Sequence, residues 1–275
     1  MNAKELCLRI VHLDDVLLHE EVERKRVEKL TARLEQDRLL KNPPIVSQFD
    51  SKYIVLDGAT RTTALRQMRC RDLVVQIVDY LNPNITLETW NHMLLDAPAQ
   101  EIFDAIQDLP DLFIEKTSAA EAERALDRRD CIASVMLANG NVYSLCAKDN
   151  TLTEQARMLN HLVAAYEGKG EMYRVAHTDV ERLISEHGRL SALVVFPRYR
   201  PEEIQQVALN GSKLPMGVTR HIIPGRALRI NIPLDILESN QSLEEKNVWL
   251  DEWLKEKMRE RHVRFYQEPV FLFDE

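Results

Sequence analysis

The chain has 275 residues, of which 45% are hydrophobic and 29% charged. This is the composition of a globular protein of one or two domains, and it excludes a disordered, collagen-like or disulfide-scaffold chain. Thirty-six basic residues against forty-four acidic ones leave a formal charge of −8, which repels a nucleic-acid backbone unless basic side chains gather locally, so DNA is a disfavoured partner. Cys7, Cys70, Cys131 and Cys146 lie far apart with no Cys-x-x-Cys spacing; zinc and redox signatures are absent, and all four are expected as reduced thiols. MNAKELCLRIV has no apolar signal core, and no stretch approaches the roughly 20 apolar residues of a membrane span. A cytoplasmic protein with no membrane partner is the expectation.

The alternating, β-branched segment 6–19 predicts a short strand. Residues 20–37 predict a helix with Val27, Leu30 and Leu34 at helical spacing, the change falling near His19. Asn42-Pro43-Pro44 ends that helix; strands are predicted at 45–47 and 53–56, a helix at 60–68 and a buried strand at 73–78. Asn82-Pro83-Asn84 marks a linker, which divides the chain into domains 1–85 and 86–275. Further on, 131–137 and 142–145 flank Asn139-Gly140, a dipeptide suited to a tight hairpin. Helices are predicted at 152–166 and 180–187, and a buried strand at 192–196. A short helix opens at Arg200-Pro201, extended chain runs over 220–232, and a helix covers 243–261. With no internal repeat, the fold class is α+β in two parts.

The sharpest chemical signal is Tyr53-Ile54-Val55-Leu56-Asp57-Gly58-Ala59-Thr60-Arg61-Thr62-Thr63, a strand passing through Asp-Gly into a helix. Free backbone N–H groups and the positive end of the helix dipole at such a junction attract a phosphate. Thr60 and Thr62 add hydroxyls, and Arg61 adds a forked cation that grips two phosphate oxygens. The plainer reading is that Asp57 and Thr60 cap a helix. Glu20, Glu21 and Glu23 read as charges complementing a helix start. The charge run 21–29 reads as the wet face of the first helix. The stripe of Trp249, Trp253 and Leu254 reads as a packing face, within the chain or in a homodimer. Arg198 and Arg200, beside Tyr199, read as a solvated turn.

The succession of a strand, Leu18-His19-Glu20-Glu21, a helix, an Asn-Pro-Pro-Ile-Val strand, Asp57-Gly58-x-x-Arg61 and a closing strand resembles the ParB/sulfiredoxin-like domain over residues 1–85. In that superfamily nucleotide phosphates are held at the strand-to-helix turn. Sulfiredoxins carry a catalytic cysteine there; this chain has none, and Cys70 lies well down the following helix. Chromosome-partitioning ParB proteins carry a Gly-Glu-Arg-Arg signature and then a helix-turn-helix with a basic surface, neither of which follows here. Three later segments are similar to those of the free L-serine kinases: Thr89-Trp90-Asn91-His92, Gly217-Val218-Thr219-Arg220-His221-Ile222-Ile223-Pro224-Gly225-Arg226, and Arg264-Phe265-Tyr266-Gln267-Glu268-Pro269.

That resemblance implies a ParB/sulfiredoxin-like nucleotide-binding domain packed with a mixed α+β domain that contributes the amino-acid pocket. The implied reaction is phosphoryl transfer from ATP or ADP, with Mg2+, to the hydroxyl of L-serine, giving O-phospho-L-serine for amino-acid or siderophore biosynthesis. It implies Glu20 as the base, with Glu21 and Glu23 as competitors, and Asp57 as a second required carboxylate, with Gly58, Ala59, Thr60, Arg61 and Thr62 on the nucleotide. It further implies Trp90, His92, Thr219, Arg220, His221 and Arg226 on the amino acid, and leaves the metal ligands unassigned. A free serine needs a cation for its carboxylate and an acceptor or π-face for its ammonium. Arg220, His221 and Arg226 are of the first kind, and Trp90 is of the second. Ala59-Thr60 departs from the His-His of the archaeal kinases, so the donor, ATP or ADP, stays open. A ParB-type nucleotide-dependent DNA-binding regulator and a kinase for another small hydroxyl substrate, such as homoserine or threonine, are the alternatives.

Overall fold

The alternation in CLRIVH becomes the strand Cys7–His12, at the edge of a five-stranded sheet. In the computed structural model, which describes residues 6–264, the sheet runs Cys7–His12, Asp72–Val78, Ile45–Phe49, Lys52–Asp57, Val16–Leu18. The apolar run at 72–78 sits inside the sheet, antiparallel to the first strand and parallel to Ile45–Phe49, with Leu73, Val74 and Val75 fully buried. Helices Arg24–Asp37 and Ala59–Gln67 pack against each other. The compact unit around this sheet comprises the described residues up to Leu17, then Val22–Ile85, then the chain from Ile223 on.

The second unit comprises Leu18–Glu21 and Thr86–Ile222. Its six-stranded antiparallel sheet runs Glu171–Val175, Asn91–Leu95, Ala192–Val195, Ala133–Leu137, Val142–Ala147, Leu112–Thr117. Met93, Leu183 and Leu193 are fully buried in its core, and helices Ala99–Gln107 and Leu152–Tyr166 pack together. The α+β class matches the expectation from the sequence.

The expected division into 1–85 and 86–275 differs from these units at Leu18–Glu21 and again from Ile223 on, where the chain returns to the first unit. Three contacts explain the return. Strand Ile232–Pro233 pairs with Leu39–Leu40, and Arg38 donates to Asp235 at 2.7 Å and to Glu238 at 2.5 Å. The helix Leu243–Arg259 lies along the edge strand. There the Asn247 amide accepts the Ile10 N–H and donates to the Ile10 C=O, both at 2.9 Å, satisfying an edge that would otherwise invite a further strand. Beside it Lys246, with no exposed surface, donates to Asp72 at 2.6 Å and to the carbonyls of Leu237 and Ser239. Asp72 also accepts from His12 Nδ1 at 2.7 Å.

Two further expectations are corrected. The first helix starts at Arg24 rather than 20, because the backbone of Leu18–Glu21 is used elsewhere: Leu214 N–H donates to the His19 carbonyl and Glu21 N–H to the Leu214 carbonyl, each at 2.8 Å. Cys131 and Cys146 form a disulfide instead of remaining reduced. The hairpin about Asn139-Gly140 brings them together, since Ile132 N–H bonds the Leu145 carbonyl at 2.8 Å in the register Ala133↔Leu145. Cys7 and Cys70 are free thiols. Among the described residues no helix is long and apolar enough to cross a membrane.

Two stability predictions follow from buried ionisable groups. Asp72→Ala strands the Lys246 ammonium in the interior, and denaturant titration should show a loss of about 3–5 kcal/mol; replacing both, as Asp72→Leu with Lys246→Met, should recover most of it. His92, fully buried on strand Asn91–Leu95, shares a hydrogen bond of 2.8 Å with Tyr166 through Nδ1. Burial, with Arg174 nearby, pushes its pKa from 6.5 down to about 4. Between those values the unfolded chain binds a proton that the folded chain refuses, so stability falls as pH falls through that window, by about 3 kcal/mol in all. Unfolding midpoints of wild type and His92→Phe across pH 7 to 4 check this, the variant losing that share of the slope.

Candidate active site

Strand Lys52–Asp57 runs into helix Ala59–Gln67 through Gly58, whose φ of 100° lies in the left-handed region where glycine is favoured. A Cβ at Gly58 would also press on Pro44 and on the Arg61 guanidinium, at 3.0 and 2.8 Å. No side chain caps this helix, so the first-turn amides at Ala59, Thr60 and Arg61 keep the anion-attracting character read from the sequence, and the capping role for Asp57 is excluded. The Asp57 carboxylate instead accepts from Arg61 Nη2 at 2.6 Å, with Arg226 Nη1 at 3.4 Å from the same oxygen. Arg61 Nε is buried without a hydrogen-bond partner, a donor set that suits an anion with more oxygens than one carboxylate offers.

Thr62 does not serve the turn as expected. It is fully buried, and its hydroxyl donates to the Gly58 carbonyl at 3.1 Å, the back-bond a helix offers a threonine that faces inward. Thr60 is half-buried in the first turn. Gln76, a residue the sequence reading passed over, positions Arg226: its amide donates to the Gly225 carbonyl at 2.9 Å and accepts the Ala227 N–H at 2.8 Å. A buried glutamine in an apolar strand was the available signal. Cys70 is buried, and burial together with Glu238 pushes its thiol up to about 11, which removes it as a nucleophile.

In the second unit Glu20 lies on the extended segment paired with Leu214. Its Oε1 accepts the Thr219 N–H at 2.8 Å and the Thr219 hydroxyl at 2.5 Å, and its Oε2 accepts the Gly217 N–H at 3.2 Å. The side chain keeps 15% exposure. Glu20 is therefore an anchored carboxylate with one lightly loaded oxygen, not a helix-dipole partner. Of its competitors, Glu21 faces Lys213 at 3.4 Å and Glu23 pairs with Arg26 at 2.7 Å, both toward solvent.

Strand Thr219–Ile222 pairs with Thr86–Thr89, so Arg220 stands opposite Glu88 and donates to it at 3.1 Å. The Arg220 guanidinium also lies over the Trp90 ring, 4.4 Å from its centre. Trp90 N–H donates to the Val218 carbonyl at 2.9 Å, which ties the two segments singled out in the sequence. His221 is buried and meets His19 edge-on at 5.4 Å. His92 departs from its expected place among substrate contacts: with no exposed surface, wedged between Tyr166 and Phe196, it is a core histidine. Arg174, opposite His92 across the strands, was missed. Its guanidinium lies against Gly217, the glycine that serves Glu20. Segment 265–269 lies outside the described residues.

No family model matches the chain. It is 25% identical over 279 residues to the ATP-dependent L-serine kinase SbnI of Staphylococcus aureus, covering the whole of both chains. The solved structure of SbnI with a C-terminal truncation superposes with a TM-score of 0.71 over 94% of this chain and all of that one. A second relative, the ATP-dependent L-serine kinase of Staphylothermus marinus, is 22% identical over 83% of this chain and 90% of its own length. A free serine kinase solved with AMP, carrying one Glu-to-Gln substitution, superposes with a TM-score of 0.72 at 18% identity, over 85% of this chain and 95% of that one. Along its whole length the chain is similar in sequence to an ATP-dependent L-serine kinase, and its fold is similar to that of solved free serine kinases.

Proposed function

We propose that this protein is a free L-serine kinase, transferring the terminal phosphoryl group of ATP to the serine hydroxyl to give O-phospho-L-serine in the cytoplasm. The observation that carries the reading is Glu20: a carboxylate held by three donors from Gly217 and Thr219, with Oε2 left to accept a proton. The serine oxygen forms a bond to the terminal phosphorus, the bridging bond to ADP breaks, and the serine proton passes to Glu20 Oε2. Such transfer rests on positioning and charge neutralisation, and the base adds to both.

The turn at Gly58, Ala59 and Thr60 receives the nucleotide phosphates, and Arg61 moves its donors from Asp57 to them. Arg226 adds a second cation. Arg220, held between Glu88 and Trp90, is assigned to the serine carboxylate, and Trp90 and His221 to the walls around the amino acid. ATP is preferred over ADP as donor because the curated relatives carry ATP-dependence in their names. Among the described residues no group of three or more His, Cys, Asp or Glu side chains could hold a metal ion. Mg2+ carried by phosphates needs only one or two protein carboxylates, and Asp57 at the phosphate turn is suited to that part. When bound, the ion neutralises charge on the phosphate oxygens.

Phosphorus NMR of the purified protein with Mg2+, L-serine and ATP should show phosphoserine and ADP; no product with either ATP or ADP would remove the reading. Glu20→Gln keeps shape but not basicity, and turnover should fall about 10²–10⁴-fold with nucleotide affinity nearly intact. Arg61→Ala should instead weaken nucleotide binding, measured by calorimetry, by roughly 10-fold or more, since charge-assisted hydrogen bonds contribute about 1.5–3 kcal/mol.

A further inference from the structure

We propose that His19 is a positioning residue for Glu20, holding the Thr219 hydroxyl so that its one proton is directed at the Glu20 carboxylate. The proposal rests on the kinase reading for its consequence in turnover, but its geometry stands without that reading. His19 is 4% exposed, and its backbone is fixed next to Glu20 by the Leu214 N–H at 2.8 Å. The ring Nε2 lies 2.9 Å from Thr219 Oγ1, which lies 2.5 Å from Glu20 Oε1. His221 meets the ring edge-on at 5.4 Å and limits its rotation.

Proton counting fixes the direction of this chain. An ionised carboxylate donates nothing and a hydroxyl has one proton, so Thr219 donates to Glu20, and the Thr219 oxygen must accept from an N–H at His19 Nε2. Removing that donor leaves a buried hydroxyl lone pair without a partner and frees the hydroxyl to turn away from Glu20. With the chain in place, Oε1 is held by two donors and the carboxylate plane is set, which leaves Oε2 for the incoming proton. When Oε2 takes the serine proton, Oε1 becomes the carbonyl oxygen of the acid and goes on accepting from Thr219. The chain from His19 through Thr219 to Oε1 therefore has the same polarity before and after transfer, and no hydrogen bond in it has to reverse during the reaction.

The test uses His19→Leu, His19→Gln, Thr219→Val and the double variant His19→Leu with Thr219→Val. His19→Leu should lower kcat about 10–100-fold, the scale on which displacement of a reacting group acts, with KM for ATP changed less than about twofold. In His19→Gln the side-chain amide carries its N–H near the position of the ring Nε2, and kcat should return to within a few-fold of wild type. In the Thr219→Val background, His19→Leu should cost nothing further. An unchanged kcat in His19→Leu, an equal loss in both backgrounds, or a Gln variant as poor as the Leu variant would overturn the proposal. Nitrogen-15 NMR of the wild-type imidazoles decides independently of turnover and of how the variants fold: His19 should carry its proton on Nε2, and a bare Nε2 at neutral pH overturns the assignment. A wild type that makes no phosphoserine overturns the kinase reading, while the NMR result still settles the chain.

Discussion

The Glu20 carboxylate accepts hydrogen bonds from residues 197 and 199 positions further along the chain. Each is charge-assisted and of the order of 1.5–3 kcal/mol, so together they outweigh the weak preference of a charged segment for helix. That balance explains why 18–21 stays extended although the following residues have helical spacing. The Glu21 N–H and the His19 C=O are already bound to Leu214, and a helix through this segment would have to give up both bonds. The bonds to the carboxylate turn its two oxygens into unlike groups. One carries two donors and the other a single long one, an asymmetry that suits the directional base proposed for Glu20.

In the first unit the organising feature is a shortage of negative charge. Asp57 is the acceptor for Arg61 and stands near Arg226 as well, while a buried Arg61 nitrogen has no partner. Two guanidiniums around one carboxylate leave a net positive turn, reinforced by the uncapped amides of helix Ala59–Gln67. A polyphosphate, the ligand proposed for this turn, would resolve that imbalance, since it brings several oxygens and more than one charge. Gln76 keeps the second arginine within reach by holding the backbone on both sides of it, and its own burial makes that clamp stiff.

What could be read from the sequence was what depends on neighbours a few residues away. Helix Leu152–Tyr166, helix Val180–His187, strand Asp72–Val78 and the Asn139-Gly140 hairpin all stand where periodicity and turn chemistry put them. Strand Leu112–Thr117 and helix Ala119–Asp127 were passed over, although the capping box of Ser118 and Glu121 marked the start of that helix. At the site, the phosphate turn was legible as a strand-to-helix junction, but the inward-facing Thr62 hydroxyl was not, because spacing in a sequence does not say which face of a nine-residue helix is buried. The partners of Glu20, the disulfide and the return of the chain at Ile223 depend on long-range contacts for which no local pattern exists.

Gly217 shows how these long-range demands converge on one position. Its φ of 72° lies where a side chain is strained, and a Cβ there would run into the Arg174 guanidinium. The absent side chain thus does two things: it allows the turn that aims an N–H at Glu20, and it lets a guanidinium lie flat against that turn. Behind them His92 faces Arg174 across the strands and is kept neutral by burial and by that same guanidinium. A protonated His92 would add a second positive charge beside Arg174, in an interior where like charges repel more strongly than in water. By staying neutral, His92 adds no second charge beside the guanidinium that lies against Gly217, so the core histidine acts on its surroundings through the proton it does not carry.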